Sequence, residues 1–427
     1  MDALSEKIIS VTKRMRKAAY ESGEKVDTFD VIPFGGSIRE SIGPFPEFIL
    51  KGRFCKRSER GMCSPCFYSR LPVHQESCED IDSGYDYGYR EQVKHISDHF
   101  QEKFLANQKG EVARDFVASK PVYAMVCTPT GSYFDNNEYP EDVRVDNLRT
   151  IVSMADEHGC EIVLHIESHA EDIIQYFKHP NQEELALLKK LHTRALIGFE
   201  SNNEFSRNVI YAKNLSLDVF ETAVNCLKNE GFAVGAFVFA GLIAMTEKEI
   251  IGDVVSTFEY LKKINVSPVL MFANTQPYTI PDVLWESGKY KLVDPRTVCE
   301  IVKRMIDIFG CDMKGNIDPW FIADPRGGPP EPNVHLFNVK TKTVCDECAD
   351  IIYSAIEELR IKKDAVLFFE KIKKVDECSC SEKYDALIHK QDADSEKDIH
   401  KRVEEAVDYA DMYFDQNHGG VCSLISC

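Results

Sequence analysis

Apolar positions along the chain alternate between two rhythms. Short runs rich in β-branched and aromatic residues occur at 122–126, 162–166, 195–199, 234–239 and 269–272. Between them, at 144–157, 183–191, 217–230 and 247–263, apolar residues recur at helical spacing. Strands alternating with helices predict an α/β fold with a parallel sheet. The run Phe48-Ile49-Leu50 adds a strand before the first cysteine, for about six β/α units. That number suits a full or partial barrel, with chemistry at the C-terminal ends of the strands.

The flanks follow other patterns. Residues 4–23 read as an amphipathic helix, and a loop follows at 33–36. The polar, acidic, tyrosine-rich stretch 75–88 reads as an excursion, and 89–108 as a helix. After residue 280 the strand–helix rhythm stops. A helix is expected at 295–309, a Gly/Pro-rich loop at 324–330 and a last helix at 399–414. The division this predicts is a helical extension at 1–44, a barrel at 45–290, a cysteine-rich module at 291–390 and a charged tail at 391–427.

Composition narrows the class. The chain has 427 residues and 44% hydrophobic content, normal for a folded protein too large for one small core. No apolar run is long enough to span a bilayer, and 1–25 lacks the apolar core of a signal peptide, so a cytoplasmic protein without a membrane partner is expected. The net charge of −19 disfavours free nucleic acid as a partner unless another subunit delivers it. Fifteen cysteines are many for a reducing compartment, where close-spaced cysteines more often bind metal than pair as disulfides.

Cys55-x7-Cys63-x2-Cys66 follows the strand at 48–50. Three thiolates can hold three irons of a [4Fe–4S] cluster and leave the fourth open to an outside ligand. The alternatives are a zinc site completed by His74, or ordinary loop cysteines. Cys345-x2-Cys348 and Cys378-x-Cys380 form two close pairs in polar surroundings, with a helical pattern between. Four thiolates suit a tetrahedral zinc or an auxiliary iron–sulfur cluster, and either would close a module with little core; the plain alternative is four unligated cysteines. Cys78, Cys127, Cys160, Cys226, Cys299 and Cys311 are scattered and read mostly as small core residues, whereas Cys422 and Cys427 stay ambiguous.

The triad spacing and a series of later segments, in order, resemble the archaeosine-biosynthesis radical S-adenosylmethionine (SAM) proteins, relatives of the catalytic subunit of Elongator. Thr130-Gly131-Ser132-Tyr133-Phe134-Asp135 is similar to that family's Gly-Ser-Phe-Leu-Asp, and Glu167-Ser168-His169-Ala170-Glu171 to its Glu-Ser-Arg-Pro-Glu. Gly198-Phe199-Glu200-Ser201 is similar to Gly-Leu-Glu-Thr, and Asp324-Pro325-Arg326-Gly327-Gly328 to Asp-Pro-Ser-Gly-Gly. Asn274-Thr275-Gln276 is similar to its Asn-x-x-Gln region. The likeness runs over about 45–385. It departs at His169, where the family has arginine, and in lacking the Arg-Gly-Pro-His-Asn-Cys stretch before Cys345.

The resemblance implies a partial (β/α)6 radical SAM barrel with a small C-terminal metal-binding module. It implies a cluster on Cys55, Cys63 and Cys66, SAM as cofactor, and an electron donor such as flavodoxin or ferredoxin. SAM-binding positions would be Phe67, Tyr68, Gly131, Ser132, Glu167, Glu200, Asn274 and Gln276. Gly131 would admit SAM closely because it has no Cβ; the plain alternative is a strand-end turn. Glu167 and Glu200 otherwise read as rim charges, and Asn274 and Gln276 as turn caps. His169, Asn202, Arg207 and Tyr278, just beyond strand ends, are candidates for contacting a small-molecule or amino-acid-conjugate substrate in a lyase or rearrangement. Two other functions stand beside this one: a transfer-RNA-modifying lyase, and a zinc-stabilised binding protein without radical chemistry.

Overall fold

The computed structural model describes residues 2–21, 37–39, 47–50, 55–66, 93–94, 97–98, 122–129, 131–311, 320–322, 342–394 and 398–418. Helix α1 (Ala3–Glu21) buries the stripe Ile8, Val11, Thr12, Met15 and Arg16. Strand β1 (Ser37–Arg39) pairs antiparallel with β2 (Glu47–Leu50). A one-turn helix α2 (Lys56–Glu59) begins directly after Cys55. The alternating region follows: β3 (Val122–Pro129), α3 (Glu141–Glu157), β4 (Glu161–Ser168), α4 (Ala170–Tyr176), α5 (Gln182–Lys190) and β5 (Arg194–Glu200). After a π-helical turn (Phe205–Ile210) come α6 (Leu217–Asn229), β6 (Ala233–Ala240), α7 (Glu247–Lys263) and β7 (Ser267–Phe272).

Strand order in the sheet follows chain order, and every pairing from β2 onward is parallel. A doubly wound sheet reverses its order at a switch point; unbroken order is the winding of a barrel. Among the described residues the first strand, β1, and the last, β8 (Phe321–Ile322), do not pair with each other. Strands β4, β5 and β6 are buried almost throughout, as parallel strands covered on both faces are. Val126, Leu196, Phe237 and Val269, from four strands, form a small cluster apart from the main core.

Local chemistry explains the helix starts. Thr246 and Glu249 close a capping box on α7. Asp294 caps α9 (Pro295–Phe309), with proline in its first turn. The short α8 (Ile280–Glu286) is capped by Thr279.

Among the described residues the sheet has seven parallel strands, β2 to β8, against the six or so expected. Strand β8 (Phe321–Ile322) comes from the segment after residue 290 and pairs with β7. Two residues carry no alternation that a sequence pattern could show. Neighbours hold it instead: Trp320 Nε1 donates to Gly310 O at 2.7 Å, and Arg360 Nε to Ile322 O at 2.9 Å. Arg360 belongs to α10 (Asp346–Lys362), which is followed by α11 (Ala365–Asp376), α12 (Ser381–Asp394) and α13 (Ile399–His418). Helix α13 packs beside α1, with ion pairs from Lys7 to Asp408 and from Arg14 to Asp411 and Asp415. Among the described residues no helix is long and apolar enough to cross a membrane.

Candidate functional site

The Cys55–Cys66 loop follows β2 and is held from two sides. On one side its main chain bonds to the end of the π-helical turn: Cys63 N donates to Ala212 O at 3.1 Å, Ser64 N to Tyr211 O at 2.9 Å, and Ser64 Oγ to Ile210 O at 2.7 Å. On the other side lies α1. Arg16 Nη1 donates to the carbonyls of Ser58 and Met62, each at 2.9 Å, and Nη2 to those of Cys63, at 2.9 Å, and Cys66. Cys63 has φ +55°, a left-handed conformation unusual outside glycine. Gly61, at φ +78°, lies so close to α1 that a Cβ would stand 2.5 Å from Ile9 O.

Further charges surround the loop. Arg57 makes a two-pronged bond to Glu171, both contacts at 2.7 Å, and also donates to Lys213 O. Lys213 Nζ lies 2.8 Å from Glu200 Oε1, and both side chains are buried. Burial alone would weaken the Lys213 proton's hold, but Glu200 and the nearby Cys63 more than offset it, so its pKa is raised. Lys56 Nζ bridges Asp135 at 2.8 Å and Asp172 at 2.5 Å. Burial, followed by the charge of Glu138, pushes the Cys55 thiol up to about 12; a thiolate at that position therefore depends on a bound cation.

The ends of β3 and β4 are laced together. Tyr133 N donates to Glu167 O at 2.8 Å, Ser132 Oγ and Ser168 Oγ are 2.8 Å apart, and His169 N donates to Ser132 Oγ at 3.1 Å. This sets His169 Nε2 3.9 Å from Cys55 Sγ and its Nδ1 3.3 Å from Asp172. Burial lowers the His169 pKa to about 4 against the pull of Asp172, so the ring is neutral near pH 7. Glu138 accepts from Ser132 N at 2.6 Å and from Lys56 N at 3.0 Å. A Cβ at position 131 would lie 1.7 Å from its Oε2. The close approach that calls for glycine is thus made here by the Glu138 carboxylate.

Of the expected site residues, Cys55, Cys63, Cys66, Gly131, Ser132, Glu167, His169 and Glu200 lie on this loop or at the adjoining ends of β3, β4 and β5. Asn274 and Gln276 follow β7 and bond to each other at 3.3 Å, and Tyr278, at φ +60°, precedes the α8 cap. Asn202 and Arg207 are committed elsewhere. Asn202 N donates to Thr257 Oγ1 at 3.0 Å, and its side chain bonds Ser256. Arg207 is fully buried and donates to Leu215 O at 2.7 Å, to Ser201 O at 2.9 Å and to Glu204. Both hold the turn after β5. Phe67, Tyr68, His74, Cys78, Thr130, 324–328, Cys422 and Cys427 lie outside the described residues, as does most of 89–108. Arg16, Arg57, Glu138, Asp172 and Lys213 were not singled out by sequence reasoning. Arg16 had a signal: an arginine on the apolar stripe of an amphipathic helix.

The second cysteine set closes on itself. Cys345 and Cys348 lie at the start of α10, and Cys378 and Cys380 in the turn between α11 and α12. Cys345 and Cys378 sulfurs are 4.0 Å apart, Cys348 and Cys380 sulfurs 3.7 Å, and all four lie within 4.8 Å of one another, so the group could hold a metal ion. Metal–sulfur bonds of about 2.3 Å place tetrahedral ligands about 3.8 Å apart, close to these spacings. Arg296 Nη2 lies 3.1 Å from Cys380 Sγ. Burial opposes ionisation of Cys380, but the Cys345 main chain and Arg296 overcome it and bring its pKa to about 6. Elsewhere, Cys127 and Cys299 are buried, which pushes both thiols up to about 12 and keeps them inert.

No protein-family model matches the chain. It is similar to an uncharacterised protein of Methanocaldococcus jannaschii, 20% identical over 363 residues, 82% of this chain and 83% of that one. Among solved structures it is similar to the archaeal Elp3 of Methanocaldococcus infernus, at 13% identity and TM-score 0.37, covering 67% of this chain and 62% of that one. Coproporphyrinogen III oxidase of Escherichia coli, described as a radical SAM enzyme, overlays at 12% identity and TM-score 0.34, over 60% of this chain and 50% of that one. The radical SAM methyltransferase TsrM of Kitasatospora setae overlays at 11% identity and TM-score 0.32, over 57% and 38%. This chain thus spans about three fifths or less of each of those structures.

Proposed function

We propose that the chain is a radical SAM enzyme whose Cys55, Cys63 and Cys66 hold a [4Fe–4S] cluster. The observation that carries this reading is a three-thiol loop after a parallel strand with buried cations packed against it. Three thiolates on an iron–sulfur core bring net negative charge into a site of low dielectric. Arg16, Arg57 and Lys213 oppose that charge, and Cys63 is among the groups each of them feels. A site for one structural ion needs a fourth protein ligand. Among the described residues, His169 Nε2 lies 3.9 Å from Cys55 Sγ, and its other nitrogen faces Asp172 at 3.3 Å.

With SAM, such a cluster supplies the electron for reductive cleavage and so begins hydrogen abstraction from a substrate. The chain's own residues bind and orient. Gly131 and Ser132 present main chain just past the end of β3, where the Glu138 carboxylate already accepts from Ser132 N and from Lys56 N. Glu167, Glu200, Asn274 and Gln276 are further SAM-facing candidates, and His169 and Tyr278 are candidates toward the substrate. The substrate in this reading is a small molecule or amino-acid conjugate undergoing lyase or rearrangement chemistry. Support for it is the net charge of −19 and the absence from this sequence of the related family's arginine-containing stretch before Cys345. The second cysteine set is read as a single tetrahedral zinc that staples α10 to the α11–α12 turn. A cubane would set each thiolate on its own iron and spread the sulfurs more widely.

Anaerobic reconstitution with iron and sulfide, then dithionite and SAM, tests this reading. The expected result is a brown protein that forms 5′-deoxyadenosine. A colourless protein carrying only zinc would select the binding-protein alternative.

A further inference from the structure

We propose that Arg16 is a positioning residue for the cluster loop: it holds the three-cysteine turn in its ligating shape and, as a buried cation behind it, raises the reduction potential of the bound cluster. The proposal rests on the radical SAM reading above. Its own basis is geometric. Four main-chain carbonyls, of Ser58, Met62, Cys63 and Cys66, converge on one guanidinium that is 1% exposed. Carbonyl oxygens brought this close repel one another unless a cation sits between them. Two of the four belong to ligand residues, Cys63 and Cys66, and Met62 is adjacent to Cys63. The left-handed φ of +55° at Cys63 is therefore fixed by bonds on either side of it.

Charge sets Arg16 apart from its neighbours. Arg57 is answered by Glu171, and Lys213 by Glu200. Among the described residues, every hydrogen-bond acceptor of Arg16 is a carbonyl, so no carboxylate cancels its charge. Reduction adds an electron to the cluster, and an uncancelled buried cation favours that more negative state. The guanidinium comes from α1, outside the parallel sheet. The terminal helix thereby becomes part of the cluster site, with the α13 ion pairs behind it.

The test compares the reconstituted full-length chain with Arg16→Met and Arg16→Lys. It measures cluster retained after gel filtration, the potential of that cluster by EPR-monitored titration, and the melting of each apoprotein. Arg16→Met should lose most of its cluster. What remains should show about a tenfold lower reduced-to-oxidised ratio at a fixed poise, equivalent to about 59 mV for one electron. Arg16→Lys keeps the charge but cannot fork across four carbonyls, so it should keep the potential and still retain less cluster. Wild-type retention and potential in Arg16→Met would overturn the proposal. Cluster loss that merely tracks melting, with the potential unchanged in both variants, would also overturn it and leave Arg16 a scaffold residue. If Arg16→Met does not fold, Arg16→Lys decides, and full cluster retention by it overturns the loop-shaping role. A wild-type protein that accepts no cluster brings down the radical SAM reading itself, a result separate from any difference among variants.

Discussion

The two cysteine sites use one ligand type on opposite plans. Cys345, Cys348, Cys378 and Cys380 come from one stretch of helices, and their sulfurs close to within 4.8 Å. Among the described residues, Arg296 is the side chain from outside that stretch with a hydrogen bond to one of these sulfurs. Cys55, Cys63 and Cys66 lie within twelve positions of one another, yet their loop is shaped from far along the chain, by Arg16 of α1 and by carbonyls of 210–212. A closed set of four completes a tetrahedron and leaves no room for a reactant. An open set of three leaves one position free and needs the surrounding fold to keep it so. On the proposed reading, self-sufficiency marks the staple and dependence marks the chemistry.

Removing a thiol from each site should separate them. Cys63→Ala should abolish 5′-deoxyadenosine formation while the second set keeps its metal and the melting temperature barely moves. Wild-type turnover by that variant would sink the triad assignment. Cys348→Ala should do the reverse. Folding energy tied to a structural ion is large, so the bound zinc should disappear and melting should fall by several degrees. If the variant instead melts normally and only product formation is lost, the second set is a working redox centre.

Smaller effects test the surroundings. Lys213→Met strands the buried Glu200 carboxylate and should cost about 3–5 kcal/mol in a denaturant titration; an unchanged midpoint would mean that water reaches the pair. Glu247 lies where α7 meets the C-terminal helices: Asp294 N donates to it at 3.3 Å, and its own N donates to Gln391 at 2.9 Å. Burial raises its pKa from 4.5 to about 7. A folded value above the unfolded one means that this group's stabilisation is complete below pH 4.5 and is lost as pH rises through 7. Glu247→Gln should therefore flatten the stability profile between those limits by at most about 3 kcal/mol. An identical profile for the two proteins would remove Glu247 from the account. The smallest expected effect is none at all: at about 0.15 M salt the lone chain should not shift transfer RNA in a gel. Submicromolar binding would favour the RNA-modifying alternative.

Much of the fold was legible because parallel strands and amphipathic helices leave long, periodic records. The helix expected at 295–309 is α9 (Pro295–Phe309), bounded by the Asp294 cap and Gly310. The five apolar runs from 122 to 272 all lie within β3 to β7. Local capping pairs such as Thr246 and Glu249 are written within a single helical turn of sequence. Two-residue β8 and three-residue β1 are too short to carry a period, and their places come only from the strands they join.

Both cysteine sets were visible in the sequence because ligand spacing is a local property. Which charges face them was not. Arg207 and Asn202 follow a strand end just as His169 does, yet they bond the turn after β5, whereas His169 reaches Cys55. Arg16 lies 39 positions before Cys55 in the sequence but beneath its loop in space. The sequence by itself determined the winding of strands and helices and the number of thiols at each site, because those depend on neighbours along the chain. Only the tertiary structure decided which cations stand behind the triad and which carboxylate fills the cradle at Gly131, because a buried charge settles with whatever partner packing brings within hydrogen-bonding reach.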